Sequence, residues 1–486
     1  MYKNKLIQHL LSFSRKEMTR FKEYCYSPYF NKHVQVRALM NYLSDIYPQF
    51  DEKKCERSLL YQKVFAKGNY DQAKLALVFT YAQKCLEQFI AQEQFEQDQH
   101  QKSIFLLKGL LAHTQYTTFE KALKKNQRIH LQSELRNATH YFHAYQLTKY
   151  ADDYYNLLDR RRVDNSLELK QNNLDNFYLL EKLKDACEAK IRQSILKVDY
   201  QTRFKDLLLN EIQASWEHYQ TFPAILVFYK IYQMLDEKKI AAYFYEASSY
   251  FNQHKATFTK RERASIYIYF MNYCISRINQ GDSIFLKEVF EIYKAQLEQG
   301  LLHENDELSE WDYKNIVTTG IRLGELDWVL HFIEHYKEEL SLESRDNAYR
   351  FNLASYYYAS GAYGKVLDLL IKVEYSDLRY NTSAKALLLR TYFDLEEYEP
   401  LNALTESFRQ YLLRNKTMSD ARRAGFNNLF KLTRKLAGLR SKLNFTKKDK
   451  MKKDLEKLEL EIQETQLLYN RDWILEKVMQ LNKQLR

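Results

Sequence analysis

The sequence predicts an all-α protein, on three observations. Gly and Pro supply only 10 and 4 of 486 residues, where an average protein would carry roughly 12% of the two together. Hairpins, crossovers and glycine phosphate loops draw on those residues, so the composition speaks against a sheet fold and against many nucleotide-using enzymes. Apolar residues make up 45% and charged residues 28%, the balance of a folded chain rather than a disordered one. The 40 Tyr suit stacked helices, where a ring fills the space between helices while its hydroxyl reaches a polar edge.

Residues 1–115 read as short helices that cap the rest. Ser14 and Glu17 form an S-x-x-E capping box that opens a helix through Phe21 and Tyr24, and Ser27-Pro28 closes it. Asn31 is placed to cap the next helix, which Pro48 ends at Tyr47, and Asp51 to cap a third. Gly68-Asn69 turns the chain into a fourth helix, from Asp71 toward Glu96. Such a set suits either a helix-turn-helix module or the end cap of a helical array, and the cap is favoured. Residues 116–222 predict two long helices, from Thr118 to about Asn165 and on to about Ser194, with a turn at Arg160–Asn165.

Pro223 opens a series of paired helices over residues 223–415, with turns at Asp236-Glu237, Gln280-Gly281-Asp282 and Gly300. Around Gly361 the order Leu353, Ala354, Tyr357, Tyr358, Gly361, Tyr363, Val366 suits two helices meeting at a tight turn. Thirty-five residues on, Leu388, Tyr392, Phe393, Glu396, Tyr398 and Leu401 repeat that order. Thirty-seven residues back, Ile316, Val317, Ile321, Gly324, Leu326 and Val329 do so again. This stretch of about 105 residues resembles the tetratricopeptide repeat (TPR) family, departing from it at Leu389 and Leu401, where small residues are expected, and in lacking the early tryptophan.

The resemblance implies a right-handed TPR-like αα-superhelix, with a helical cap before it and basic helices (416–486) after it. It also implies a concave groove lined by the first helix of each unit. In that register the groove positions are Lys314, Thr318, Arg322, Phe351, Ser355, Tyr358, Arg390 and Phe393. Three cations and three aromatics there would receive an extended segment with a carboxylate and apolar side chains.

Charge is concentrated at the end of the chain. The net charge is +11, and residues 409–453 alone hold 15 Lys and Arg against 2 Asp and Glu. Glu298–Asp346 holds 4 against 13. At 100° per residue, Lys431, Arg434, Lys435 and Lys442 share one arc, and Leu429, Leu432, Leu436, Leu439 and Leu443 another. A following helix, with Thr446 as its cap, adds further lysines. The basic arc is either a solvated surface or a landing site for a polyanion such as nucleic acid.

Catalytic motifs fail on context. His331-x-x-Glu334-His335 has the spacing of the inverted zinc-protease motif, yet Val329, Leu330, Ile333 and Tyr336 mark the opposite face as buried. No P-loop, Rossmann or nucleophile-elbow pattern occurs, and Ser194-x-x-Lys197 lies inside a helical run. Cys25, Cys55, Cys85, Cys187 and Cys274 contain no C-x-x-C and suit buried, reduced thiols. The sequence thus leads to a cytoplasmic, non-enzymatic scaffold or adaptor that binds a peptide or protein, with no cofactor, no metal and no membrane span. Nucleic-acid binding through 409–453 is the alternative.

Overall fold

The computed structural model describes residues 3–65, 68–158, 165–196, 198–370, 378–414 and 418–485. Among the described residues all regular structure is helical except one short hairpin. The chain divides into two compact units, Met1–Glu181 and Lys182–Arg486. That boundary falls inside the helix spanning Ser166–Leu196.

The first unit contains α1 (Lys5–Leu11), α2 (Arg15–Tyr26), α3 (Val34–Ile46), α4 (Arg57–Val64), α5 (Gln72–Gln97), α6 (Gln99–Ala112), α7 (Tyr116–Gln132), α8 (Ala138–Leu158) and the start of α9 (Ser166–Leu196). The capping box of Ser14 and Glu17 forms, and Asp71 caps α5 through the amides of Ala73 and Lys74. Two expected caps differ. His33 precedes α3, while the Asn31 amide donates to the Cys25 carbonyl and its Oδ1 accepts from the His33 amide. Asp51 accepts from the Lys54 amide in a turn, and α4 starts only at Arg57.

The long helix expected from Thr118 is broken at Ser133–Asn137. No Gly or Pro does this. The Ser133 hydroxyl accepts from the Leu135 amide and Asn137 Oδ1 from the His140 amide, so side chains take over the backbone partners. Five of the six residues of the turn expected at Arg160–Asn165 (160–164) lie outside the described residues.

The second unit continues through α10 (Lys205–Ala214), α11 (Trp216–Tyr219), α12 (Pro223–Asp236), α13 (Ala241–His254), α14 (Lys260–Asn279) and α15 (Phe285–Glu298). A hairpin of β1 (His303–Glu304) and β2 (Glu307–Leu308) follows. It went unforeseen because Asn305 and Asp306, not glycines, take the left-handed conformations of its turn. Then come α16 (Glu310–Leu323), α17 (Leu326–Tyr336), α18 (Arg345–Ala359), α19 (Tyr363–Leu370), α20 (Leu378–Asp394), α21 (Tyr398–Arg414), α22 (Asp420–Arg440), α23 (Lys448–Glu464) and α24 (Arg471–Gln484). Lys447, not Thr446, is the residue before α23, and no side chain caps that helix.

Consecutive helices pair, α16 with α17, α18 with α19, and α20 with α21. In addition α16 packs on α18, α18 on α20, and α20 on α22. The pairs turn in the same way. Gly324, Gly361 and Glu396 are left-handed, and the amide after each returns to a carbonyl five residues back: Glu325 to Gly320, Ala362 to Tyr357, and Glu397 to Tyr392. Close approach of α16 and α17 rests on Gly320, where a Cβ would lie 2.4 Å from Val329 Cγ2.

Glu396 holds a glycine conformation with a side chain, which costs about 1 kcal/mol. Its exposed pairing with Arg440 (2.8 Å) returns only a fraction of that. Glu396→Gly is therefore expected to stabilise the protein by several tenths of a kcal/mol up to about 1 kcal/mol, read as a higher urea midpoint with unchanged slope.

Candidate functional site

Residues three and four apart share a helix face, and the contacts of α16, α18, α20 and α22 bring four such faces together. They line a half-open cavity of about 580 Å³. α16 contributes Lys314, Thr318 and Arg322, α18 contributes Phe351, Ser355 and Tyr358, and α20 contributes Ser383 and Arg390. α22 adds Arg422 and Phe426, and the turn before α24 adds Tyr469.

Seven of the eight groove positions expected from the sequence line this cavity. Phe393 does not. It is 1% exposed, edge-on to Trp473 at 5.5 Å, with the Arg440 guanidinium above it. The C-terminal helices cover that turn of α20, which repeat register does not encode. The same helices explain what the sequence reading missed: Arg422 and Phe426 extend the cavity from a helix assigned only to the basic end.

The cavity is strongly basic. Among the described residues its lining holds Lys314, Arg322, Arg390 and Arg422 and no Asp or Glu. Lys314 Nζ donates to Ser383 Oγ (3.0 Å) and lies 4.9 and 5.1 Å from the Phe351 and Tyr380 rings. Arg422 donates to Thr382 Oγ1 (3.3 Å) and lies over Phe426. The Arg390 guanidinium stacks 4.5 Å from the Tyr358 ring, and its buried Nε has no hydrogen-bond partner. Burial lowers the pKa of Arg390, while Tyr358 and Asp394 act in the opposite direction.

The carboxylate that acts on Arg390, Asp394, is committed elsewhere. Asp394 accepts from the Tyr358 hydroxyl (2.5 Å) and pairs with Lys477 Nζ at 2.7 Å. Among the described residues Arg322, Arg390 and Arg422 have no carboxylate within ion-pair distance. Burial pushes the Tyr358 phenol above its ordinary value, so it stays neutral.

The acidic block surrounds a hollow of its own, about 560 Å³, lined by Glu304, Glu307, Glu310 and Glu343 with Trp311 and Tyr380. The basic arc meets other carboxylates. Lys431 and Lys435 reach Glu461 on α23 at 3.6 and 2.7 Å. Arg434 lies close enough to Glu406 to help hold that carboxyl below its usual range, after the hydrogen bonds from Arg409 and Gln410. Lys442 is exposed just beyond the end of α22.

His331, Glu334 and His335 face solvent on α17, with Val329 and Ile333 fully buried opposite. Glu334 is occupied by the Tyr349 hydroxyl (2.8 Å) and by Lys337 (3.1 Å). Among the described residues no group of three His, Cys, Asp or Glu side chains is arranged to hold a metal ion. Ser194 donates to the Ile191 carbonyl, and Lys197 lies outside the described residues. All five cysteines are buried and free. No helix among the described residues is long and apolar enough to cross a membrane.

Comparison with protein-family models, with curated proteins and with solved structures finds no match to this chain.

Proposed function

We propose that this chain is a non-enzymatic interaction scaffold or adaptor. In this reading the helices from α16 to α22 form a TPR-like right-handed superhelix, and its concave face binds an extended segment of a partner protein. The carrying observation is the cavity itself: four cations beside the rings of Phe351, Tyr358, Phe426 and Tyr469, with no carboxylate among the described residues of the lining. Unpaired arginines among aromatic walls suit an acidic, partly apolar peptide. The turns at Gly324, Gly361 and Glu396 and the α16–α18–α20–α22 contacts support the repeat geometry. The polyanion alternative draws less support, because Lys431 and Lys435 already share Glu461.

A photo-crosslinking residue placed at exposed Thr318, in the cavity, tests the reading against one at Asp327, exposed on α17. A discrete crosslinked partner from Thr318 alone, mapped to one short acidic segment, is the expected result. Equal labelling from both positions would remove the cavity from the binding surface.

A further inference from the structure

The cavity carries more positive charge than one carboxylate can satisfy. We propose that the group recognised there is a phosphomonoester dianion borne on a side chain of the partner segment. This rests on the peptide-binding reading above and names the ligand chemistry within it.

The charge count comes first. Arg322, Arg390 and Arg422, with Lys314 beside them, line one half-open groove in which the described residues place no carboxylate. A phosphomonoester brings about −2 charge at neutral pH and three strong acceptor oxygens, where a carboxylate brings one charge and two oxygens.

Donor geometry points the same way. A guanidinium is a planar fork that meets tetrahedral phosphoryl oxygens two at a time. Two of these forks are already held in place by rings of the same cavity, Arg390 by Tyr358 at 4.5 Å and Arg422 by Phe426 at 5.9 Å. Little side-chain freedom is then lost on binding. Arg390 Nε is buried and has no acceptor among the described residues, so any hydrogen bonds to a ligand come from the other nitrogens of its guanidinium.

The site also protects its charge. Lys477 and Tyr358 occupy the two carboxylate oxygens of Asp394. The aromatic walls supply an apolar surface for the carbon side of the ester, so a free phosphate would use only part of the site.

Isothermal titration of the full chain with phenyl phosphate, benzoate and inorganic phosphate at pH 7.5 tests this. Phenyl phosphate is expected to bind one site at least about tenfold more tightly than either other probe. Arg322→Gln and Arg422→Gln should each weaken it about tenfold, a loss of about 1.4 kcal/mol, while Lys431→Glu/Lys435→Glu should leave it unchanged. Arg322 is exposed, so its replacement does not threaten the fold, and circular dichroism checks both variants. Benzoate binding as tightly as phenyl phosphate would overturn the phosphoryl assignment and leave the peptide reading with a carboxylate ligand. Inorganic phosphate binding as tightly as phenyl phosphate would overturn a side-chain source. Absence of phenyl phosphate binding to folded protein would overturn the assignment as well, while the crosslinks from Thr318 report separately on the peptide reading.

Discussion

Lys477→Met is expected to lower the unfolding free energy of the second unit by about 3–5 kcal/mol. Lys477 Nζ lies 2.7 Å from Asp394 Oδ1, and the two side chains are 12% and 6% exposed. Methionine keeps most of the stem volume and removes the charge. What is lost is the partner of an enclosed carboxylate, which then keeps only the Tyr358 hydroxyl. Restoring balance with Lys477→Met/Asp394→Leu should recover much of the loss, because the desolvation penalty leaves with the pair. Urea unfolding followed by Trp fluorescence reads both variants, since all four Trp, Trp473 among them, lie in the second unit. A loss under about 1 kcal/mol for the single variant would mean that the pair behaves as a solvated one. The same change carries a functional consequence: an unpaired Asp394 beside Arg390 should compete with an anionic ligand and weaken its binding.

Acidification from pH 7 to pH 5 is expected to destabilise the first unit selectively. His130 and His143 are 8% and 4% exposed, with their Nδ1 atoms 3.3 Å apart. Burial, then the charges of neighbouring groups, lowers their pKa from 6.5 to about 4 and about 3. His140 stacks on His130 at 3.9 Å and is lowered to about 3. The groups facing them are His100, which lies against His143, Arg136, which works against charge on His130 and His140, and Asp98, which favours charge on His143.

A folded pKa below the unfolded one means that the unfolded chain binds more protons between the two values. Stability is therefore constant above about pH 6.5 and falls as the pH drops from there toward 4. At pH 5 each of the two buried histidines contributes a loss on the order of 2 kcal/mol. All four Trp lie in the second unit, so the expected sign is a fall in the circular dichroism melting temperature at pH 5 with less change in the Trp transition. His130→Gln/His143→Gln should flatten the dependence. A melting profile independent of pH between 7 and 5 would contradict the buried, neutral assignment.

The helical class and the cavity were largely legible, because both depend on local spacing. Gly324, Gly361 and Glu396 mark one turn at a regular interval, and Lys314, Thr318 and Arg322 fall on one face of α16 from periodicity alone. What escaped depended on contacts remote in sequence. Phe393 sits at a correct groove register but is covered by Trp473 of α24. Lys431 and Lys435 find Glu461 across the turn between α22 and α23. Asp152 pairs with Lys170 and accepts from Ser166, across the span between α8 and α9. The histidines at 100, 130, 140 and 143 lie on three helices, so no single-helix pattern joins them. The break at Ser133–Asn137 was hidden because ordinary polar side chains make it.

Selection of a random peptide library on the full chain distinguishes a peptide-binding cavity from an inert one. Enriched sequences are expected to place an acidic or phosphorylated residue beside an apolar one. Their binding should be lost in Arg322→Gln/Arg422→Gln and kept in Lys431→Glu/Arg434→Glu/Lys435→Glu. Peptides that bind the first variant as well as the parent, or a selection that enriches nothing from folded protein, would contradict the peptide-binding reading.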